Sequence, residues 1–133
     1  MSTMSVSPES VVSAFLVAME RMDYDAGLAF VDPEVEYING PKAPLRGPQG
    51  IRQELEPFFA PIIENQFIVQ RKATAGNVVF VERLDRHRIP QGWFELPVTG
   101  VFEVRDGKIV YWREYFNLAT VVDDMTALMR QAT

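Results

Sequence analysis

The chain has 133 residues, of which 47% are hydrophobic and 11% aromatic, so it can form one globular domain with a sizeable core and is too short for a second. Its formal net charge is −5 and its lysines and arginines are scattered, which excludes the basic surface of a nucleic-acid-binding protein. It contains no cysteine and a single histidine, so disulfides and thiol catalysis are excluded and we expect no metal site.

The beginning of the chain combines neither a basic patch nor an apolar run, and no stretch approaches the roughly 20 apolar residues of a membrane span. We therefore expect a single domain over residues 1–133, with residues 1–7 disordered. We also expect a cytoplasmic location and no membrane partner.

Helical patterns occupy the first part of the chain. Ser7, followed by a proline, forms a helix start, and apolar residues then recur with helical spacing to about Met22. Asp23 predicts the cap of a second, short helix that ends before Pro33. A first strand is predicted for about residues 34–39, where a Gly-Pro pair breaks it.

The remaining elements are a helix, four strands and a last helix. Apolar residues resume helical spacing from Ile51, and prolines at 57 and 61 predict that this helix is kinked or cut short. Asp106-Gly107 predicts a hairpin turn, and a helical pattern begins at about Leu118. The four strand-like runs cover about residues 65–73, 77–88, 93–105 and 108–117. Helices followed by antiparallel strands indicate an α+β fold in which helices pack on one face of a curved sheet, and such a sheet can form a pocket.

Charged residues interrupt the apolar side of two predicted strands. Side-chain alternation places Arg83 and Asp85 on the same face as Val79 and Val81, and places Glu114 on the face of three apolar residues, Val110, Trp112 and Phe116. A buried charge without a partner is costly, so these three charges would need one another. An arginine between two carboxylates in apolar surroundings separates their pKa values into one acid and one base, which is typical of an enzyme. The alternative is an outward, solvated stripe.

His87 lies one step further along the face of Arg83 and Asp85. It can line the mouth of the pocket and contact a polar group of a substrate, or it can be an exposed histidine on the rim near a loop. The residue pattern leaves both interpretations open.

Five short motifs in register resemble the limonene epoxide hydrolase family, from about residue 10 to residue 125. The motifs are Tyr37-Ile38-Asn39, Glu82-Arg83-Leu84-Asp85, Gly100-Val101-Phe102, Asp106-Gly107-Lys108-Ile109 and Trp112-Arg113-Glu114-Tyr115-Phe116-Asn117. The resemblance implies the fold of the nuclear transport factor 2-like (NTF2-like) and SnoaL-like proteins, a cone-shaped, curved mixed sheet packed against N-terminal helices around a deep pocket. It also implies a homodimer formed through the sheet face.

The resemblance implies one-step hydrolysis of a lipophilic epoxide to a vicinal diol, with no covalent intermediate, metal or organic cofactor. Asp85 matches the general acid, and Arg83 matches the arginine that bridges two carboxylates. Tyr37 and Asn39 match the residues that hold the attacking water. Glu114 stands where the family has an aspartate as general base, and it is one methylene longer. A displacement on the order of 1 Å can cost about a hundredfold in rate, so this is the position where the sequence departs most from the family.

The candidate substrate-binding residues are His87, Leu96, Val98, Trp112 and Phe116. The resemblance places Leu96, Val98 and Phe116 on the pocket wall, and Trp112 shares the face of Glu114. Ordinary core packing is the alternative for each apolar member of this set.

Two other functions stay open for the same fold. A ketosteroid-isomerase-like or polyketide-cyclase-like enzyme would move a proton beside a carbonyl, with Glu114 and Tyr37 as the active groups. A non-catalytic small-molecule-binding protein would need none of the polar set. The combination of Tyr37, Asn39, Arg83 and Asp85 favours hydrolysis, because an isomerase needs neither an arginine between two acids nor residues that hold water.

Overall fold

Four helices and six strands make up residues 6–131, the part of the chain that the computed structural model describes. In chain order they are α1 (Pro8–Glu20), α2 (Tyr24–Leu28), β1 (Val31–Asn39), β2 (Leu45–Arg46), α3 (Gly47–Phe59), β3 (Glu64–Ala75), β4 (Val78–Ile89), β5 (Gly92–Arg105), β6 (Lys108–Tyr115) and α4 (Leu118–Gln131).

The six strands form one mixed sheet in the order β2-β1-β6-β5-β4-β3. Strands β3 to β6 pair antiparallel with their sequence neighbours, whereas β1 pairs parallel with β6. Register shifts mark bulges in β1, β3 and β6, which bend a sheet and increase its twist. The α+β class and the curved mixed sheet expected from the sequence are confirmed.

Helix α1 covers the inner face of the sheet because its apolar stripe is continuous. Phe15 is fully buried and meets the rings of Phe102 and Trp112 edge-on, at centroid distances of 6.1 and 5.0 Å. Burial alternates along β4 and β5, so the inner face of each strand is closed to solvent while the other face is partly open. The core therefore lies between α1 and the inner face of the sheet.

Side-chain caps fix the helix starts. Ser7 accepts a hydrogen bond from the backbone of Ser10, and Asp23 accepts one from Ala26, each at 3.1 Å, as the sequence predicts. Asn117 accepts the backbone N–H of residue 119 at 3.0 Å and so begins α4. Of residues 1–7, which were expected to be disordered, residues 1–5 lie outside the described residues, and Ser7 caps α1.

The helix and strand bounds differ from the predictions near three residues. Helix α1 ends at Glu20 because Met22 takes a left-handed conformation with φ 58°. Glycine is the usual residue at such a helix end, and its absence here is why the sequence did not predict it. Strand β1 begins at Val31 and includes Pro33, because the pairing with β6 is irregular there and a proline without an N–H is tolerated. Helix α3 ends two residues after Pro57, as the prediction of a shortened helix required.

The hairpin predicted between β5 and β6 is confirmed. Asp106 and Gly107 both have positive φ, 50° and 75°, as a two-residue hairpin turn demands. Strand β2 was not predicted, because a segment of only two residues shows no periodic pattern. Within residues 6–131, no helix is long and apolar enough to cross a membrane.

Candidate active site

A cavity of about 500 Å³ lies between the inner face of the sheet and helices α1, α3 and α4. Most of its wall is apolar, formed by Leu16, Met19, Leu55, Phe58, Phe59, Phe67, Leu96, Val98, Trp112, Phe116, Leu118, Val121 and Met125. The five candidate catalytic residues also line it: Tyr37, Asn39, Arg83, Asp85 and Glu114. An apolar pocket with a few convergent polar groups is the usual form of a small-molecule site.

Arg83 bridges the two acids through hydrogen bonds to both. Its Nε and Nη2 donate to the two oxygens of Asp85 at 3.0 and 2.9 Å, and its Nη2 and Nη1 donate to Glu114 at 2.8 and 3.4 Å. The exposed fractions are 2% for Arg83, 6% for Asp85 and 5% for Glu114. The alternative of an outward, solvated stripe is therefore wrong for these three charges.

The charges of this trio do not balance when both acids are ionised. Burial works against the positive charge of Arg83, but the two carboxylates outweigh it and raise the pKa of the guanidinium. Burial also raises the pKa of Glu114, with a further contribution from Asp85, while Arg83 opposes the shift. Because one cation is shared by two buried acids, a single proton on the pair makes the trio neutral.

Gly100 provides the space in which Glu114 meets Arg83. The two positions Gly100 and Glu114 face each other across β5 and β6. A Cβ at position 100 would lie 2.7 Å from Oε2 of Glu114 and 2.9 Å from Nη1 of Arg83. Any side chain on Gly100 would therefore displace the pair.

Tyr37 brings an unpaired hydrogen-bond donor to the cavity, beside the ring of Trp112. Tyr37 is fully buried and its ring stacks on Trp112 at a centroid distance of 4.3 Å. The Tyr37 hydroxyl has no hydrogen-bond partner among the described residues. Burial, followed by the charge of Glu114, raises the pKa of Tyr37 well above its usual value, so its hydroxyl keeps its proton. Buried donors without protein partners are suited to hold water or a polar ligand.

Asn39 lies directly opposite Glu114, because β1 runs parallel to β6. Its Nδ2 donates to Oε2 of Glu54 at 2.8 Å, and Lys42 contacts the same oxygen at 2.5 Å. Burial works against the charge of Glu54, but the hydrogen bonds from Lys42 and Asn39 prevail and lower its pKa. With its amide nitrogen engaged by an ionised carboxylate, Asn39 presents its carbonyl oxygen as an acceptor.

Glu54 is a polar cavity residue that the sequence interpretation missed, as it missed Lys42 and Gln53. It lies on α3 between the buried residues Ile51 and Leu55. Glu54 follows Ile51 by three positions and directly precedes Leu55, so it lies at the border of the apolar face of the helix. That border position was the only available signal, because the partner Asn39 comes from a different element.

His87 lies deep in the domain, with 3% of its surface exposed, so the interpretation as an exposed rim histidine is wrong. Its Nδ1 lies 2.7 Å from Oδ1 of Asn65, the residue opposite it on β3. Burial lowers the pKa of His87 to about 4. Its ring lines the same cavity as the two acids. Asn65 went unnoticed in the sequence because its role depends on the strand register.

The structure places the apolar candidates on the cavity wall. Leu96 faces Asp85 across the β4–β5 ladder, and Val98 faces Arg83 in the same way. Trp112 and Phe116 line the cavity from β6 and the residues that follow it. Within residues 6–131, no three histidine, aspartate or glutamate side chains converge in a group that could hold a metal ion.

Comparison with known proteins agrees with this geometry. The sequence profile of the limonene-1,2-epoxide hydrolase catalytic domain matches residues 6–130. The chain belongs to the limonene-1,2-epoxide hydrolase family. The epoxide hydrolase EphG of Mycobacterium tuberculosis is 31% identical over 119 residues, which cover 90% of this chain and 77% of that protein.

Solved structures show the same relationship for this limonene-1,2-epoxide hydrolase family member. The structure of an M. tuberculosis LEH-like epoxide hydrolase superimposes with a TM-score of 0.74 at 30% identity, covering 92% of this chain and 90% of that one. A putative SnoaL-like polyketide cyclase from Shewanella denitrificans superimposes with a TM-score of 0.81 at 11% identity, covering 90% and 97% of the two chains. The second likeness shows the fold alone, and it confirms the NTF2-like and SnoaL-like architecture.

Proposed function

We propose that this limonene-1,2-epoxide hydrolase family member hydrolyses a lipophilic epoxide to a vicinal diol in one step, without a cofactor. The observation that carries the proposal is the Arg83 guanidinium, hydrogen-bonded to both Asp85 and Glu114 inside an apolar cavity. Epoxide opening needs a proton for the leaving oxygen and an activated water on the opposite side of the carbon. Two acids that share one proton and one arginine can supply both.

In this mechanism Glu114 is the general base. A water molecule donates one proton to the Glu114 carboxylate and is held by the Tyr37 hydroxyl and the Asn39 carbonyl oxygen. Its oxygen attacks one epoxide carbon, and the bond between that carbon and the epoxide oxygen breaks. Burial raises the pKa of Glu114, so the step needs the shared proton on Asp85 at its start; the ionised Glu114 carboxylate is then a stronger base than an exposed glutamate.

Asp85 is the general acid of the same step. Its carboxyl proton passes to the epoxide oxygen as the ring opens, which gives the second hydroxyl of the diol. At the end of the turnover the proton sits on Glu114, and its return to Asp85 restores the starting state. Arg83 contacts both acids, so it compensates one negative charge throughout and the trio stays neutral.

The cavity wall supports a lipophilic substrate. Aromatic and aliphatic side chains surround the acids, and about 500 Å³ is enough for a molecule of roughly ten to fifteen heavy atoms. Its relative EphG is described as an epoxide hydrolase, in agreement with this reaction class. The isomerase, cyclase and binding alternatives are not favoured, because none of them needs an arginine held between two acids.

The decisive experiment compares Glu114→Gln with Glu114→Asp on limonene 1,2-epoxide, cyclohexene oxide and styrene oxide. Gln keeps the size and loses the basicity, so we expect diol formation to fall by at least about a hundredfold. Asp keeps the basicity and should retain part of the activity. Diol formation in ¹⁸O-labelled water under single-turnover conditions should place one solvent oxygen in the product. Wild-type turnover by Glu114→Gln would refute the base assignment.

A further inference from the structure

His87 is a buried polar residue that the hydrolysis mechanism does not use. It follows Asp85 by two positions on β4, so its side chain leaves the strand on the same face. It lines the cavity and has only 3% of its surface exposed. A polar ring buried beside a reactive pair, with no part in the reaction, calls for a separate explanation.

The hydrogen bonds around His87 determine which ring nitrogen carries the proton. Asn65 donates from Nδ2 to the backbone carbonyl of Glu20 at 3.3 Å, which turns its Oδ1 toward Nδ1 of His87 at 2.7 Å. An amide oxygen can only accept, so Nδ1 must be the donor. Burial lowers the pKa of His87 to about 4, so the ring is neutral at pH 7 and Nε2 carries a lone pair.

The surroundings of His87 offer Nε2 no partner. Four phenylalanine rings surround the imidazole at centroid distances between 5.0 and 6.3 Å, those of Phe58, Phe59, Phe67 and Phe94. None of these rings has a hydrogen-bond donor, and no donor within residues 6–131 reaches Nε2. His87 lines the cavity, so a cavity occupant can reach its ring. A cavity occupant that donates a hydrogen bond is therefore stabilised at this nitrogen.

We propose that Nε2 of His87 is a substrate subsite that accepts a hydrogen bond from a hydroxyl group. The preferred substrate is then a lipophilic epoxide with one hydroxyl about 7 Å from the epoxide oxygen, since side chains on one face of a strand repeat at about that distance. The inference rests on the proposed function, because the distance is counted from the epoxide oxygen at Asp85.

A matched substrate series tests this subsite kinetically. The series is 2-(3,4-epoxycyclohexyl)ethanol, its methyl ether and 4-ethylcyclohexene oxide, which share the epoxide and differ in the distal group. We expect kcat/KM to be roughly tenfold higher for the alcohol than for the ether, because one hydrogen bond in a buried site is gained. His87→Leu should abolish this ratio. Val122→Ala, at an exposed position of α4 that does not line the cavity, should preserve it. A ratio near one in the wild type, or an unchanged ratio in His87→Leu, would overturn the proposal.

A second measurement does not depend on hydrolysis. His87 is the only histidine, so ¹⁵N-histidine labelling reports this ring alone. The free protein at pH 7 should show a protonated Nδ1 and an unprotonated Nε2. Saturating 2-cyclohexylethanol should shift the Nε2 resonance, and ethylcyclohexane should not.

The two measurements separate failure of the subsite from failure of the proposed hydrolysis. If the epoxides are not hydrolysed but 2-cyclohexylethanol shifts Nε2, the reaction is wrong and the subsite stands. A proton on Nε2 in the free protein, or no shift with the alcohol, overturns the subsite whatever the kinetics.

Discussion

Replacement of Gly100 by alanine should disable the site by displacing Glu114. The added Cβ would lie 2.7 Å from Oε2 of Glu114, closer than the 3.0 Å below which real Cβ atoms are essentially never found. The carboxylate must therefore move by about 0.7 Å to reach an ordinary contact, which begins at 3.4 Å, and since 1 Å of misplacement can cost about a hundredfold, we expect kcat/KM to fall by roughly ten- to thirtyfold. Gly100 has no positive φ that would strain an alanine, so the effect is steric.

The same geometry predicts that Glu114→Asp lessens the effect of Gly100→Ala. Aspartate withdraws the carboxylate by about one C–C bond, or roughly 1.5 Å, away from the new methyl group. The contacts of 2.9 Å with Nη1 of Arg83 and Cε1 of Phe102 remain, so the relief is partial. In a double-mutant cycle, Gly100→Ala should cost less kcat/KM in the Glu114→Asp background than in the wild type.

The assay for this cycle is diol formation from cyclohexene oxide, with thermal unfolding measured for each variant. Overpacking costs about 1–3 kcal/mol of stability, so we expect Gly100→Ala to show a modest fall in Tm in addition to the fall in kcat/KM. Thr99→Ser is the control, since Thr99 lies on the other face of β5. A folded Gly100→Ala protein with wild-type kcat/KM, or an equal cost in both backgrounds, would show that position 100 does not set the place of Glu114.

Four further outcomes follow from the site. Asp85→Asn and Arg83→Ala should each lower diol formation at least about a hundredfold, and near-wild-type turnover by the first would remove Asp85 as the acid. Glu54→Ala should lower kcat about tenfold with little change in KM, because Asn39 loses the bond that orients it, while Glu54→Gln should retain most of kcat. Burial lowers the pKa of His87 from 6.5 to about 4, so the unfolded state takes up a proton before the folded state does and the free energy of unfolding falls as the pH drops from 6.5 to 4. Urea titrations at these two pH values should show that wild-type protein loses up to about 3 kcal/mol more of this free energy than His87→Leu does. Sedimentation equilibrium should give twice the mass of one chain, and the mass of a single chain would contradict the expected homodimer.

The buried charges could be predicted because strand alternation is a local rule. Arg83, Asp85 and His87 fall on alternate positions of one run, and their shared face is readable without knowledge of any partner strand. The helix caps at Ser7 and Asp23 are equally local, since each depends on a residue three positions away.

The non-local contacts of the site could not be predicted in this way. Asn39 meets Glu114 because β1 returns parallel to β6, a pairing between segments far apart in sequence. Asn65 reaches His87 through the register of β3 on β4, which a bulge shifts elsewhere in the same ladder. Glu54 approaches Asn39 from a helix whose position over the sheet depends on the whole core. Each of these contacts follows from packing that no short segment encodes.

The glutamate at position 114 is consistent with the rest of the site in two respects. On the side of Arg83, Gly100 leaves the room that a longer side chain needs, and both oxygens of Glu114 reach the guanidinium. On the side of β1, Tyr37 and Asn39 lie on the strand that pairs with β6 at Glu114. A shift of this strand pair would therefore move Tyr37 and Asn39 together with the backbone of Glu114. The extra methylene therefore extends the carboxylate toward the arginine rather than into solvent.

Because the base and the groups that hold the water share one pair of strands, exchange of glutamate for aspartate should change the distance from Glu114 to Arg83 more than the arrangement of Tyr37 and Asn39. The measurable consequence is that Glu114→Asp shifts the pH dependence of kcat, which reports the charges of the trio, while one solvent oxygen still enters each diol.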